Sequence, residues 1–443
     1  MRKYFLLTYF LLSFVYGHAE LAVKLNVETP GSLSTMIASS KKSKITHLTL
    51  SGTINGSDIL YIRNMAGAGI KETISSSKCS LQYLDIANVT IVEGGAVYSY
   101  QHTKYRGSDY YSEYHQYKTK DNTITSFMFD NCYKLKTLIL PKTVTKIEAN
   151  AFFDTNIQSI TLPERLESLE SSIPSWYITD IMIAETNQHF KVVDGVLYSY
   201  DMKTLYRCPT NYVNSIFQIP EGVEIIYNSA FNYCINIKGF NTPSTLKEFG
   251  DKSCGWLSLN KFVLEPNVRY YNIGDFTNIQ EVIIPESFSE FDPSLFGYTT
   301  YDLAEWNSTK VNKIKVYSKT PPTLTDGFNR ATLAGNLYVP QGSYSAYYIA
   351  YRWGDFAHIY EMAGTENGIA QMQANAVQIQ TENGNINIIG VDDGIKVSVY
   401  GINGLKVGSA ISCKGHADIV TNLSLGSIAI IKIGDKNIKV AIK

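Results

Sequence analysis

The stretch Phe129-Asp130-Asn131-Cys132-Tyr133-Lys134-Leu135-Lys136-Thr137-Leu138-Ile139-Leu140-Pro141 decides how this chain folds. Its skeleton is an apolar residue, two variable residues, then apolar-x-apolar and proline. Apolar-x-apolar has period two and reads as a short strand with one face inward. Proline after it cannot donate to a ladder, so pairing stops there. The skeleton returns at Ile157, Ile160-Thr161-Leu162-Pro163, and again at Ile237 and Phe240 before Pro243. It returns at Leu259, Phe262 and Leu264 before Glu265, and at Ile279, Val282 and Ile284 before Pro285. Ile178, Ile181 and Ile183 form a weaker copy. Pro141 to Pro163 spans 22 positions, Pro220 to Pro243 spans 23, and Pro243 to Glu265 spans 22. The upstream half of the unit also recurs, with Val144, Ile147, Ala151 and Phe152 matching Val223, Ile226, Ala230 and Phe231. Leu246, Phe249, Ser253 and Cys254 give a degenerate third copy. A unit this small cannot bury its own apolar face, but stacked units share a continuous core, so the pattern predicts a solenoid. Phe129, Phe152 and Phe231 are expected to stack as one internal aromatic column.

These units resemble the BspA-like leucine-rich repeats of bacterial surface proteins of the Bacteroidetes type. Ile219-Pro220, Val223, Ile226, Ala230-Phe231, Cys234 and Ile237 match the family's pattern position by position. Val193 to Tyr198, followed by Thr204 to Pro209, is similar to the hairpin that the family inserts between repeats. Leu337-Tyr338-Val339-Pro340, with Tyr344, Tyr347, Trp353 and Phe356, is similar to the usual end of such arrays. The resemblance implies a mostly β fold with short helices: a leucine-rich-repeat solenoid over residues 121–363. It also implies a cell-surface protein that contacts host matrix proteins or other bacteria.

Upstream, residues 20–95 read as an α/β N-terminal cap. Leu33–Ile37 and Ser57–Met65 are expected as helices, and Ile45–Leu50 and Leu81–Ile86 as strands. Residues 1–19 read as a secretory signal peptide. Arg2 and Lys3 precede a short apolar run, and Gly17-His18-Ala19 places small residues before a cut after Ala19. No cysteine follows the cut, so no lipoprotein anchor is expected there. The chain is expected to be secreted or held at the cell surface.

Residues 364–368, Gly-Thr-Glu-Asn-Gly, read as a linker. Beyond them, alternating apolar residues separated by Asn383-Gly384, Asp393-Gly394 and Asn403-Gly404 predict a small antiparallel β-sandwich over 364–443. This region resembles the C-terminal sorting domains of type IX secretion cargo, through Val399 to Gly404 and Lys439 to Lys443. The resemblance implies export across an outer membrane. The chain departs from that pattern at Gly426-Ser427-Ile428-Ala429, where a tyrosine is usual.

Signals for chemistry are sparse. Net charge is −1, which gives no bulk attraction to nucleic acid or an anionic bilayer. No metalloprotease helix motif, nucleophile elbow, phosphate loop or dinucleotide fingerprint is present. No metal and no cofactor is expected. Asp392-Asp393 reads as a turn rather than a calcium site. The six cysteines, Cys79, Cys132, Cys208, Cys234, Cys254 and Cys413, show neither zinc spacing nor a disulfide framework. Cys132 and Cys234 share a repeat position and read as small inward apolar residues.

One segment stands out. Residues 96–120 read as a Tyr-rich insertion, an exposed loop or hairpin. Tyr98, Tyr100, Tyr105, Arg106, Tyr110, Tyr111, Tyr114 and Tyr117 are its candidate ligand contacts. Tyrosine offers a large contact area at small entropic cost. The competing reading lays those rings back over the adjoining repeat. The function expected is binding of an extracellular protein without catalysis. A glycan-binding protein or a secreted hydrolase, which would need two convergent carboxylates, is the alternative.

Overall fold

The structure is a computed structural model. It describes residues 21–68, 79–104, 112–170, 173, 176–274, 276–296 and 311–362. In the C-terminal region it describes 378–382, 385–389, 391, 395–401, 405–412, 416–421, 423–424, 426–433 and 436–442. Residues 1–19, expected as a leader, and 364–368, expected as a linker, lie outside these residues.

The repeats wind into a β-solenoid of about 13 turns. Each turn contributes a short strand to one side. Thr137–Ile139, Ser159–Thr161 and Asp180–Met182 pair in parallel, so Leu138, Ile160 and Ile181 align and all face inward. The strands stop where Pro141 and Pro163 remove a donor. On a second side, two-residue strands such as Lys146–Ile147 and Ser168–Leu169, or Ile225–Ile226 and Glu248–Phe249, stack in the same way. Ile147, Ile226 and Phe249 are buried there.

The principal sheet begins earlier than the repeat spacing indicates. Ala22–Val27, His47–Ile54 and Tyr83–Ile91 join it in parallel ahead of Thr137–Ile139, so six strands form one continuous sheet. The expected helices occupy Leu33–Met36 and Gly56–Met65. Asn55 caps the second helix and accepts from Ser57 N at 2.9 Å, while Asp58 accepts from Asn55 N at 3.0 Å. Asp58 also accepts from Gly31 N and Leu33 N, at 2.6 and 2.9 Å, which ties the first strand-to-helix connection to this cap.

The sheet is interrupted after Met182. An antiparallel meander of Phe190–Val193, Val196–Ser199 and Thr204–Arg207 intervenes, and its last strand pairs in parallel with Ile225–Ile226. Ile216–Gln218 pairs with Gly239–Asn241. Then five strands stack in parallel: Ser258–Val263, Asn278–Ile284, Lys313–Val316, Asn336–Val339 and His358–Glu361.

The interruption divides the core. One apolar cluster runs from Val27 to Leu197 and a second from Val196 to Phe356. This corrects the expected aromatic column. Phe129 and Phe152 stack, with ring centres 6.0 Å apart and planes 6° apart. Phe231 lies in the second cluster and packs against Phe217 and Phe240, at 4.8 and 5.0 Å. The meander between the two blocks starts a new column. Cys132 and Cys234 are fully buried and face inward.

In the C-terminal region, Gln378–Glu382, Asn385–Ile389 and His416–Val420 form one antiparallel sheet. Lys396–Gly401, Lys406–Ile411, Ile428–Ile433 and Lys436–Ala441 form another. Inward residues from both, including Ile386, Ile388, Ile419, Val397, Val399 and Ile431, share a core. Among the described residues, no helix is long and apolar enough to cross a membrane.

Candidate functional site

The turn that follows each second-side strand has a fixed backbone shape. Two positions in it, two residues before and two after the buried Phe site, adopt a left-handed conformation. Asn150 and Asp154 flank Phe152, with φ of 58° and 53°. Ser229 and Tyr233 flank Phe231, with φ of 58° and 63°. Lys252 and Trp256 flank Cys254, with φ of 49° and 65°. Asn and Asp tolerate this region because their short polar side chains bond locally, whereas bulky residues do not favour it. The later position carries Asn131 and Asp154 in the first block, as that rule expects. In the second block it carries Tyr233 and Trp256.

These two aromatic residues are not strained in order to fill the core. Their rings stack on each other outside it, 5.5 Å apart with planes 16° apart, and Trp256 is 46% exposed. Trp176 also packs against Tyr233, with ring centres 5.4 Å apart and planes 31° apart. Tyr133, Phe153, Trp176, Tyr177 and Ile235 are exposed on the same turns. The solenoid therefore carries an aromatic ridge on its outer surface. Partial burial pushes the Tyr233 hydroxyl up to about 12, and nearby Tyr177 and Asp154 add to the shift. Tyr233 is thus neutral and a hydrogen-bond donor throughout the physiological range. Tyr133 donates to Asn131 and to Asp154, at 2.5 and 3.2 Å, linking two turns of the ridge.

The Tyr-rich insertion is a hairpin of Gly94–Lys104 and Ser112–Thr119. Its root is pressed onto the helix cap. Gly95 has φ of 73°, and a Cβ there would sit 2.5 Å from Asn55 Oδ1. Its candidate contacts separate. Tyr98 is fully buried and is not a contact: its hydroxyl reaches Thr125 Oγ1 at 2.5 Å and donates to the Ser126 carbonyl at 2.9 Å. Tyr117 is half-buried and lays its ring on Phe127, 4.9 Å away. Tyr100 is 49% exposed and opposes Gln116 across the hairpin. Tyr114 opposes His102 along the backbone. Tyr105, Arg106, Tyr110 and Tyr111 lie outside the described residues.

Under the hairpin, Arg63 and Asp130 form a buried ion pair at 2.5 Å. Arg63 also donates to the carbonyls of Phe127 and Met128, at 2.7 and 3.0 Å. Ser99 and Asn131 also donate to the Asp130 carboxylate, at 3.4 and 2.9 Å. This network joins the helix, the hairpin and the first strong repeat. Among the described residues, no three His, Cys, Asp or Glu side chains gather as metal ligands would.

The ridge escaped sequence reading because nothing at Tyr233 or Trp256 marks a left-handed turn. The signal that could have found it is the Asn131 and Asp154 register, carried forward past the insertion.

Residues 111–195 and 199–318 match the BspA type leucine rich repeat region, in six copies. No curated protein matches the sequence. Solved structures to which the chain is similar include a leucine-rich repeat protein from Eubacterium ventriosum. That likeness has 12% identity and a TM-score of 0.37, over 72% of this chain and 74% of that one. A second is a leucine rich cell surface protein from Faecalibacterium prausnitzii, at 16% identity and a TM-score of 0.36, over 74% of this chain and 76% of that one. A third is the pneumococcal vaccine antigen PcpA, at 14% identity and a TM-score of 0.30, over 54% of this chain and 84% of that one.

Proposed function

We propose that this chain, whose residues 111–195 and 199–318 match the BspA type leucine rich repeat region, is an extracellular binding protein that holds a partner protein along its aromatic ridge. The observation that carries the reading is the pair Tyr233 and Trp256. Two bulky residues occupy backbone positions that favour Asn or Asp, and their rings are turned outward. Strain kept at an exposed site points to a use for the ring. Exposed Trp and Tyr clustered with Ile235 supply the kind of apolar anchor that dominates protein interfaces.

Ring geometry favours a protein partner over a sugar. A sugar stacks on an open aromatic face. Tyr233 packs against both Trp256 and Trp176, which leaves less of its ring open to a sugar. The basic and apolar leader at residues 1–19 supports export, and the resemblance of 364–443 to sorting domains supports attachment at a cell surface. Adhesion to host or neighbouring-cell proteins follows from that placement, with no catalytic step.

The test is a binding screen of the mature chain, residues 20–443, against matrix proteins, bacterial surface proteins and glycans. The expected result is a protein partner whose affinity falls at least tenfold in a Tyr233→Ala, Trp256→Ala double variant, with the melting transition retained. Binding to glycans alone, or protein binding indifferent to both rings, would overturn the reading.

A further inference from the structure

The outer face of the five-stranded sheet in the second block gathers lysines around one carboxylate. Phe262, Val282, Ile314 and Leu337 point from its strands into the core, so their neighbours in the pleat point away from it. Those neighbours include Lys261, Glu281, Lys313 and Lys315. Register sets Lys261 directly opposite Glu281, and Lys315 opposite Ile283. From the strand on the other side, Lys313 Nζ reaches Glu281 at 2.9 Å and Lys315 Nζ at 3.6 Å. Partial burial would raise the Glu281 pKa, but Lys313, Lys315 and Lys261 outweigh it and hold the carboxyl below its ordinary value. Three ammonium groups thus share one carboxylate. Among the described residues of these five strands, the one other carboxylate, Glu361, accepts from Tyr344 N at 2.9 Å. The lysines are held in place rather than loose. The side chains of Lys313 and Lys315 are only 36% and 16% exposed, which lays their stems along the sheet, and Lys313 Nζ sits 5.8 Å from the centre of the Tyr338 ring.

We propose that this face binds a carboxylated polysaccharide, a polymer of uronic acids, with Lys261, Lys313 and Lys315 taking its carboxylates. Glu281 shows the chemistry that the lysines accept, a carboxylate held at hydrogen-bond distance by an ammonium group. A polymer carboxylate over this row meets the same donors, and lysines already held by the sheet lose little freedom on binding. The rest of the face suits a sugar better than a protein. Its apolar side chains Ile283, Tyr317 and Met362 are buried against one another, with Val263 and Tyr338 packed on them, apart from the repeat core. They therefore offer no exposed anchor of the kind that dominates protein interfaces. What stays open is polar or aromatic. Asn312 Nδ2 donates to Asn278 Oδ1 and Gln280 Oε1 at 3.3 and 2.7 Å, which lines the lysines with amides. On the last strand Tyr360 is exposed, beside Tyr338 and His358 at 5.3 and 6.2 Å, and gives a sugar ring a surface to pack on. This surface belongs to the strands, whereas Tyr233 and Trp256 stand on the turns, so the two sites are independent.

The test is calorimetric titration of the mature chain, residues 20–443, with polygalacturonate. Dextran serves as the neutral polymer and polyglutamate as the acidic polypeptide. Polygalacturonate should bind, and binding should weaken as salt is raised. A Lys261→Gln, Lys313→Gln double variant with its melting transition retained should bind about tenfold more weakly. Glu281→Gln removes the internal competitor and should bind about threefold more tightly. A gain cannot come from lost folding, so this variant decides even if the lysine variant unfolds. The Tyr233→Ala, Trp256→Ala variant should bind polygalacturonate as the native chain does, which keeps this site's outcome apart from that of the ridge. No binding of polygalacturonate, equal binding of dextran, a folded lysine variant of native affinity, or a Glu281→Gln variant with no gain would each overturn the proposal. Tighter binding of polyglutamate than of polygalacturonate would assign the face to an acidic protein and overturn it as well.

Discussion

Arg63 and Arg207 hold equivalent turns of the two blocks in the same way. Arg63 donates to the carbonyl of Phe127 and Arg207 to that of Ser229, and these two acceptors are the same left-handed position of their turns. Each arginine stands where a block of repeats begins, one on the helix Gly56–Met65 and one at the end of the meander.

Replacing either arginine with methionine therefore removes two side-chain donors from these carbonyls. For Arg63 it also strands the Asp130 carboxylate. Breaking a buried pair from one side costs about 3–5 kcal/mol, and loss of two charge-assisted bonds at Arg207 falls in the same range, at about 1.5–3 kcal/mol each. Hydrogen exchange should place the first loss in the block before the meander and the second in the block after it. Protection lost equally in both blocks by either variant would contradict the division of the core.

Trp256→Gly is expected to be more stable than Trp256→Ala, the reverse of the usual order. Both variants lose the stack on Tyr233, which is about 0.5–1.5 kcal/mol. Only glycine also releases the left-handed strain, about 1–2 kcal/mol for an L-residue. Urea midpoints of the two variants should differ by about 1 kcal/mol in favour of glycine. An alanine variant as stable as the glycine one would show that the turn relaxes once the ring is gone.

Tyr98 and Tyr100 are two positions apart and should behave oppositely. Tyr98→Phe removes a buried hydroxyl that satisfies Thr125 and the Ser126 carbonyl, with an expected loss of about 1–3 kcal/mol. Tyr100→Ala removes an exposed ring and should change stability by no more than about 0.5 kcal/mol. A thermal melt of each variant decides this, and a partner that engages the hairpin would register only the second.

Stability should also fall in acid through Glu148. Partial burial would raise its pKa, but the salt bridge to Lys120 and the Ser126 N–H at 3.0 Å outweigh it and hold the carboxyl below its ordinary value. A depressed folded-state pKa gives stability that is present above the unfolded value and lost as pH falls through the folded one. Glu148→Gln should flatten that part of the stability–pH curve. An unchanged slope between pH about 5 and 3 would place the acid sensitivity elsewhere.

Much of the solenoid was legible because its signals are local. Leu138, Leu140 and Pro141 alternate and stop within four residues, and stacking follows from the need to cover one apolar face. Ala22–Val27 was missed because it lacks a terminating proline and is long before its neighbour His47–Ile54 appears. The division at the meander was missed because apolar pattern shows which residues face inward, not whether two inward columns connect. Tyr233 and Trp256 depend on a turn conformation and on a register shifted by the insertion, which spacing alone does not carry. Of the tyrosines singled out, Tyr98 and Tyr100 are two residues apart on one strand and would share a face in a regular pleat, so their opposite exposure is not legible from alternation; the hairpin register is irregular between Gly94 and Ser99.

The interrupted ladder also sets how the molecule answers to force. Strands lie across the solenoid axis, so tension between its ends pulls neighbouring strands apart one pair at a time rather than shearing many bonds together. The seam after Met182, where the principal sheet stops and the meander takes over, is where such an opening finds the fewest ladder bonds to break. A chain anchored at one end and gripping a partner along its length would then yield in steps, paying out slack under load and recoiling when released.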